Sequence, residues 1–188
     1  GEICGLRWSD IDFNASTISV NRTVEYIPHE GLIFTAPKTK ASNRTFKVGA
    51  NCMDMLREYQ LYQKAERLRV GSMWARTVQV ENGKTVQNDL LFTSWDGTPF
   101  DLERLTTWFP HFLRAHDLPA VHFHSLRHTY ASLMIAAHVP ITTVSGRLGH
   151  AQTSTTTDIY AGFIRTADAA ASDAMEIVFD NIREKSRA

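Results

Sequence analysis

The sequence is poor in cysteine: Cys4 and Cys52 are its only two, and they form neither a CxxC pair nor a disulfide framework. This scarcity excludes the small disulfide-stapled domains of secreted proteins and favours a reducing cytosol. We expect both cysteines to be small buried apolar residues. No apolar run approaches the roughly 20 residues that a membrane-spanning helix needs. The opening GEICGLRW lacks a signal peptide and an initiator Met, so neither a membrane protein nor a secreted protein is expected.

The chain also lacks an excess of charge of either sign. Lys plus Arg number 20 and Asp plus Glu number 20, so the formal net charge is zero. A nucleic-acid-binding protein usually shows a positive patch, which a neutral chain can still form if its charges are segregated. The segment 38–47 carries four cations and no acid, whereas five acids follow Arg165, namely Asp168, Asp173, Glu176, Asp180 and Glu184. Local positive charge is present, but composition alone does not indicate DNA.

With 188 residues, of which 43% are hydrophobic, the chain can bury a core, most simply in one domain. Between Ser16 and Val48, the β-branched segments STISVNRTVEYI, GLIFTA and RTFKV predict a three-stranded antiparallel sheet. GEICGLRWSDID indicates the end of a helix, and the polar stretch 71–89 indicates a surface insertion with a short hairpin near 78–86.

Helical patterns account for most of the remaining sequence. Asn51 suits an N-cap, and Pro110 is expected to kink the helix that follows Asp101. The helices are predicted over 51–70, from 101 onward, and over 125–138, 141–148, 155–160 and 167–184. The predicted fold class is therefore mostly α with a small three-stranded antiparallel β-sheet (α+β).

The region from His124 to Tyr160 carries the residues best suited to chemistry, with His124, Arg127, His150 and Tyr160 in a fixed order. Arginine matches the geometry of a phosphate, histidine can donate to phosphate or move a proton, and tyrosine can be a covalent nucleophile. Residues three apart share a helix face, so His124 and Arg127 can reach one phosphate together. The polar run 155–157 before Tyr160 favours an exposed segment. This combination suits chemistry on a phosphodiester.

The motifs HSLRHT, RLGH and TTTDIY resemble, in order and spacing, the catalytic block of the tyrosine recombinases, the phage integrase family. The resemblance extends from GEICGLRWSDID to the tyrosine and implies a catalytic domain over residues 1–165, with a C-terminal helix or tail over 166–188. It implies that Tyr160 attacks a phosphate of double-stranded DNA, forming a 3′-phosphotyrosyl bond and freeing a 5′-hydroxyl. Arg127, His124 and His150 would act on that phosphate, with neither a cofactor nor a metal.

The resemblance further implies a catalytic lysine on a β-hairpin turn, which protonates the departing 5′ oxygen. Lys38 in PKTKASNRTFKV matches the family pattern better than Lys40, which is the alternative candidate. The family also carries an arginine two residues before a GE pair, which here is Gly1-Glu2, so that arginine would precede residue 1. Glu2 is expected to help organise the site. Loss of one such donor costs about 100-fold to 1000-fold in rate, so the isolated chain is expected to cleave DNA poorly.

Other interpretations stay open at this point. His122, His124 and His128 form an HxHxxxH pattern that resembles a metal site, although Arg127 within it would repel a cation. A type IB topoisomerase uses similar residues, and a DNA-binding or assembly module would lack cleavage activity. The partly amphipathic segment 167–188 suits packing on its own domain or on a neighbouring protomer, as in a homo-oligomer, a tetramer of the parent protein on paired DNA sites. The expected location is the cytoplasm of a bacterium, on DNA of the nucleoid, a phage or another mobile element.

Overall fold

The structure, a computed structural model, describes residues 1–27, 29, 31–37, 39–80, 83–150 and 156. The chain divides into two compact units, Gly1–Phe123 and His124–Ala188. Of the elements described, the first unit holds seven strands and two α-helices, and the second holds two α-helices. The predicted class, mostly α with a small three-stranded antiparallel sheet, is confirmed. No helix among the described residues is long and apolar enough to cross a membrane.

Two small sheets form between residues 11 and 47. The strands are β1 (Ile11–Asp12), β2 (Thr17–Val20), β3 (Thr23–Ile27), β4 (Gly31–Thr35) and β5 (Arg44–Lys47). The order β1-β2-β5 makes a three-stranded antiparallel sheet, in which Ile18 lies opposite both Ile11 and Phe46. β3 and β4 form a separate antiparallel hairpin. The predicted membership of the sheet is therefore wrong, because STISVNRTVEYI supplies strands to both sheets.

The break between β2 and β3 has a local electrostatic cause. Asn21 Nδ2 donates to Asp10 Oδ1 at 3.1 Å, and Arg22 forms an ion pair with the other oxygen of the same carboxylate. Asp10 also accepts a hydrogen bond from the backbone N–H of Arg7 at 2.9 Å. With its side chain 5% exposed, the carboxylate needs these partners to offset its desolvation. The contacts with Asn21 and Arg22 interrupt the strand where the alternating pattern predicted continuity.

The first residues form a turn rather than the end of a regular helix. Gly5 N donates to Gly1 O at 3.0 Å, and Leu6 N donates to Ile3 O at 3.2 Å. A 3₁₀ helix follows at Trp8–Asp10. Two glycines within five residues disfavour a continuous helix, because glycine loses the most backbone entropy on folding.

The long helix α1 (Ala50–Val70) begins after Gly49, so the predicted N-cap at Asn51 is wrong by two residues. The short hairpin predicted near 78–86 is confirmed as β6 (Thr77–Gln79) paired with β7 (Thr85–Gln87). Helix α2 (Leu102–Ala115) starts as predicted, because Asp101 caps it by accepting from Glu103 N at 3.0 Å. It continues through Pro110.

The core of the first unit lies beneath these elements. One buried cluster contains Cys4, Val24, Phe34, Val78 and Leu90, and a second contains Ile11, Met53 and Leu91. The prediction of two buried cysteines holds for Cys4, which is 2% exposed, and is wrong for Cys52, which is exposed. On the first turn of α1, Met53 takes the core position and leaves Cys52 on the outer surface.

The second unit pairs α3 (Ser125–Ala136) with α4 (Ile141–Leu148), close to the predicted bounds. The two helices bury Ala131, Ile135, Val144 and Leu148 against each other. The side chain of Arg147 donates through Nε to the hydroxyl of Tyr130 at 2.9 Å, which adds a polar contact between them. Apart from Thr156, the helices predicted over 155–160 and 167–184 lie outside the described residues.

Candidate functional site

The end of α4 determines the position of His150. Gly149 adopts a left-handed conformation with φ of 72°, which glycine reaches without the steric penalty of a Cβ. Gly149 N donates to Gly146 O and His150 N donates to Ser145 O, both at 3.1 Å. These two bonds form the Schellman arrangement that terminates many helices. The Gly-His pair therefore reverses the chain and gives the His150 backbone a fixed direction relative to α4.

Arg127 is held at the same helix end. Its Nη2 donates to the carbonyl oxygen of Leu148, which belongs to the last turn, where carbonyls lack partners within the helix. The guanidinium is half-buried and lies at the negative end of the α4 dipole, a favourable place for a cation. A guanidinium has five N–H donors, so this bond is compatible with simultaneous binding of a phosphate. The structure thus holds Arg127 at the helix end that His150 follows, and the joint action of the two residues stays a prediction.

The imidazole of His150 is oriented by a residue that the sequence analysis did not select. His150 Nδ1 and Thr156 Oγ1 share a hydrogen bond of 2.7 Å. Thr156 is completely buried, so the expectation of an exposed polar run over 155–157 is wrong for this residue. A buried hydroxyl requires a partner, and the buried Thr156 finds it in the histidine ring.

His124 occupies the N-cap position of α3, immediately before Ser125, and is exposed. Its side chain makes no capping hydrogen bond, whereas its carbonyl oxygen accepts from Arg127 N at 3.0 Å. The ring of His128, one turn further along, meets the His124 ring edge-on with centroids 5.2 Å apart. His124 and Arg127 therefore lie on the first turn of α3, as the spacing of three predicted.

A metal centre finds no support in the described part of the chain. No three His, Cys, Asp or Glu side chains among those residues lie close enough together to hold an ion. Within the described residues, the histidines of the HxHxxxH pattern therefore do not form a group that could hold a metal ion.

The turn that carries the candidate lysines lies between β4 and β5 in the first unit. Lys38 and the side chain of Lys40 lie outside the described residues, as does Tyr160. The backbone of Lys40 opens a 3₁₀ helix, Lys40–Ser42. Ser42 N donates to Thr39 O at 3.1 Å and closes the turn.

An ion pair connects this turn to the first residues of the chain. Arg44 donates to both carboxylate oxygens of Glu2, each at 2.9 Å, and Arg44 Nη1 also donates to Ser42 O at 3.0 Å. The carboxylate of Glu2 thereby anchors an arginine that bonds to the turn, and its expected role in organising the site stays a prediction. Two N–H···O bonds in parallel fix direction as well as distance.

Comparison with known proteins gives a consistent result. The model of the phage integrase family matches residues 1–163. A XerC-like tyrosine recombinase of Caldanaerobacter subterraneus subsp. tengcongensis is 34% identical over 172 residues, 87% of this chain and 42% of that protein. The ICEBs1 integrase of Bacillus subtilis is 25% identical over 160 residues, 85% of this chain and 40% of that protein. The chain thus spans about two fifths of the length of these curated relatives.

Among solved structures, the integrase of the transposon Tn1549, in complex with circular intermediate DNA, has the same fold. It gives a TM-score of 0.68 over 85% of this chain and 49% of that chain, at 19% identity. At 19% identity this structural likeness shows only that the fold is shared. Membership of a family follows from the sequence comparisons. Since the family match covers most of the chain and includes the HSLRHT motif at the start of α3 and the RLGH motif at the end of α4, the chain belongs to the phage integrase family, the tyrosine recombinases.

Proposed function

We propose that this chain is the catalytic domain of a site-specific recombinase that cleaves and rejoins double-stranded DNA. In this proposal Tyr160 attacks the scissile phosphorus, the bond to the 5′ oxygen breaks, and a 3′-phosphotyrosyl link replaces it. Attack by the freed 5′-hydroxyl of a partner strand reverses the step. Each step exchanges one phosphodiester for another, so rejoining needs no external energy source.

The remaining residues are assigned by the chemistry of their side chains. Arg127 stabilises the charge that develops on the nonbridging oxygens. The imidazoles of His124 and His150 donate to these oxygens or accept the phenolic proton of Tyr160. Lys38, with Lys40 as the reserve, protonates the departing 5′ oxygen. Neither a metal nor a cofactor takes part in this scheme.

One observation carries the proposal: Arg127 and His150 are both anchored at the C-terminal end of α4. The guanidinium bonds to Leu148 O, and the next two residues turn the chain so that His150 follows directly. A helix C-terminus repels anions, so a cation held there is well placed to offset that repulsion when a phosphate binds. The arrangement pairs a fixed cation with a fixed proton-transfer group, as phosphoryl chemistry requires.

The test is to trap the covalent intermediate with the protein in the full length that its gene encodes. Double-stranded oligonucleotides covering the junctions beside that gene, each nicked next to a candidate cleavage position, would be incubated with the protein. A denaturing gel should show a protein–DNA band, and Tyr160→Phe should abolish the band while a gel shift still detects binding. Binding without a band from the native protein would overturn the proposal and identify a DNA-binding module.

The same preparation separates a recombinase from a type IB topoisomerase. A recombinase should form the covalent band on junction DNA and not on a scrambled duplex of equal length. Relaxation of a supercoiled plasmid that lacks the junction, at a rate equal to that of a plasmid carrying it, would instead indicate the topoisomerase.

We further propose that residues 1–165 act as one catalytic domain and that the segment 166–188 contributes to self-association. The support is the pattern of this segment, in which Met175, Val178, Phe179 and Ile182 recur at helical spacing. The active species would be a homo-oligomer, a tetramer on paired sites in the bacterial cytoplasm, where its DNA substrate resides. Light scattering of the protein on junction DNA, with and without residues 166–188, tests this; an unchanged mass after the deletion would overturn it.

A further inference from the structure

We infer that Thr156, four positions before Tyr160, is a positioning residue for His150, because its hydroxyl holds Nδ1 and so fixes the plane of the imidazole. The inference rests on the proposed recombinase function for its catalytic meaning. Its structural basis, the bond between Thr156 Oγ1 and His150 Nδ1, is independent of that function.

The geometry of this contact is that of a strong, specific bond. Its length of 2.7 Å is at the short end of the usual range. Thr156 has no exposed surface, so water cannot replace the histidine nitrogen if the ring turns away. Threonine is branched at Cβ and has few χ1 rotamers, which limits the directions in which the hydroxyl can point.

The backbone of His150 is held from the opposite side. His150 N donates to Ser145 O at 3.1 Å, and the left-handed Gly149 sets the direction of the chain. Ser145 is itself buried, 3% exposed. One end of the residue is therefore fixed by the helix terminus and the ring by Thr156, which together restrict the imidazole to one orientation.

The choice of a hydroxyl has a chemical consequence. A threonine hydroxyl both donates and accepts, so it can bond to Nδ1 in the neutral ring and to Nδ1–H in the protonated ring. An ionised carboxylate in its place would only accept and would favour the protonated form. With Nδ1 committed to Thr156, proton exchange with the substrate falls to Nε2. The contact thus fixes the ring without fixing its charge.

The contact also restrains the nucleophile. Tyr160 follows Thr156 by four positions, and four residues span at most about 14 Å even when fully extended. Anchoring Thr156 on His150 therefore limits how far the tyrosine can lie from the imidazole. The side chain of Thr156 therefore both orients the imidazole and limits the distance between that ring and Tyr160.

Two substitutions distinguish the hydroxyl from the volume of the side chain. Thr156→Val keeps the shape and removes the bond, whereas Thr156→Ser keeps the bond. At saturating junction DNA we expect Thr156→Val to slow formation of the covalent band by about 10-fold to 100-fold, the cost known for metal-binding histidines that lose the partner orienting the ring. Thr156→Ser should restore most of the rate, because it keeps the hydroxyl. DNA affinity should stay unchanged in both, and Thr143→Val, at an exposed site on α4, is the matched control.

A spectroscopic measurement decides the inference without cleavage. Long-range ¹H–¹⁵N correlations of the histidine rings report the hydrogen bonding of each ring nitrogen through its chemical shift, and His150→Gln assigns the His150 signals. The native protein and Thr156→Ser should show the same Nδ1 shift, and Thr156→Val a displaced one, because Nδ1 loses its partner. A native Nδ1 shift and rate in Thr156→Val, or an equal loss in Thr156→Ser and Thr156→Val, would overturn the inference. If the native protein forms no covalent band, the proposed function fails and the Nδ1 shift still decides the role of Thr156.

Discussion

Glu2 and Arg44 lie 42 positions apart and are joined by two hydrogen bonds of 2.9 Å, one from each terminal nitrogen of the guanidinium. Their side chains are 32% and 14% exposed, so solvent screens the pair only in part. The pair connects the first turn of the chain to the turn that follows Lys38.

Replacing Glu2 by Gln should lower the free energy of unfolding by about 1–2 kcal/mol, because a partly buried guanidinium loses its charged acceptor. Urea unfolding followed by circular dichroism measures the change. Glu66→Gln is the matched control, since Glu66 pairs with Arg69 on the exposed surface of α1, where such pairs contribute little. Equal effects in the two variants would contradict the prediction.

Two glycines near the end of α4 should respond in opposite directions to alanine. Gly149→Ala places a Cβ at a φ of 72° and should destabilise the protein by about 1–2 kcal/mol. Gly146→Ala adds a methyl group that meets no atom within 4 Å inside the helix, and it should stabilise by about 0.5–1 kcal/mol. Thermal unfolding measures both. Gly149→Ala should also reduce covalent trapping of DNA because it redirects His150, and native trapping in that variant would contradict this account.

Arg127→Lys should reduce the rate of covalent trapping by about 100-fold to 1000-fold. An ammonium group is a compact point charge and cannot present a planar fork to Leu148 O and a phosphate together. Gel-shift affinity for DNA and the melting temperature should change little. Arg114→Lys, at an exposed position near the end of α2, provides the control, and a comparable rate loss there would show that the assay measures general charge effects.

The two cysteines should differ in reactivity. Burial raises the pKa of the Cys4 thiol, which lowers the fraction of reactive thiolate, whereas Cys52 is exposed. A disulfide reagent at pH 8 should therefore modify one thiol rapidly, and Cys52→Ser should remove that fast phase. The reaction of Cys4 should follow unfolding.

The raised pKa of Cys4 also sets the sign of a pH effect. A buried neutral thiol contributes stability that is fully present below its ordinary pKa of 9.0 and is lost as the pH rises toward the higher folded value. Urea midpoints measured between pH 8 and pH 10 should fall less steeply in Cys4→Ala than in the native protein. Parallel pH curves would contradict this assignment.

Helices α2, α3 and α4 were predictable from sequence because periodicity and capping residues act locally. The predicted start after Asp101 and the predicted end at Leu148 are correct, whereas the N-cap at Asn51 was placed two residues late. The division into two sheets was not predictable. Asn21 and Arg22 bond to the carboxylate of Asp10 and interrupt the strand, and this contact depends on the tertiary structure. Within the site, the HxxR spacing and the Gly-His pair indicated Arg127 and His150. Thr156 was missed because a threonine in a polar run gives no local sign of burial.

The first residues of the chain have a consequence for biosynthesis. Trp8 N donates to Asp89 O and Leu91 N donates to Leu6 O, at 2.9 and 2.8 Å, across about eighty positions of sequence. Cys4 packs with Leu90 in the same core. Contacts of such large sequence separation form late and slow folding. During translation, residues 4–8 therefore lack these partners until the region near Leu90 has been synthesised, and until then their apolar side chains are exposed to aggregation.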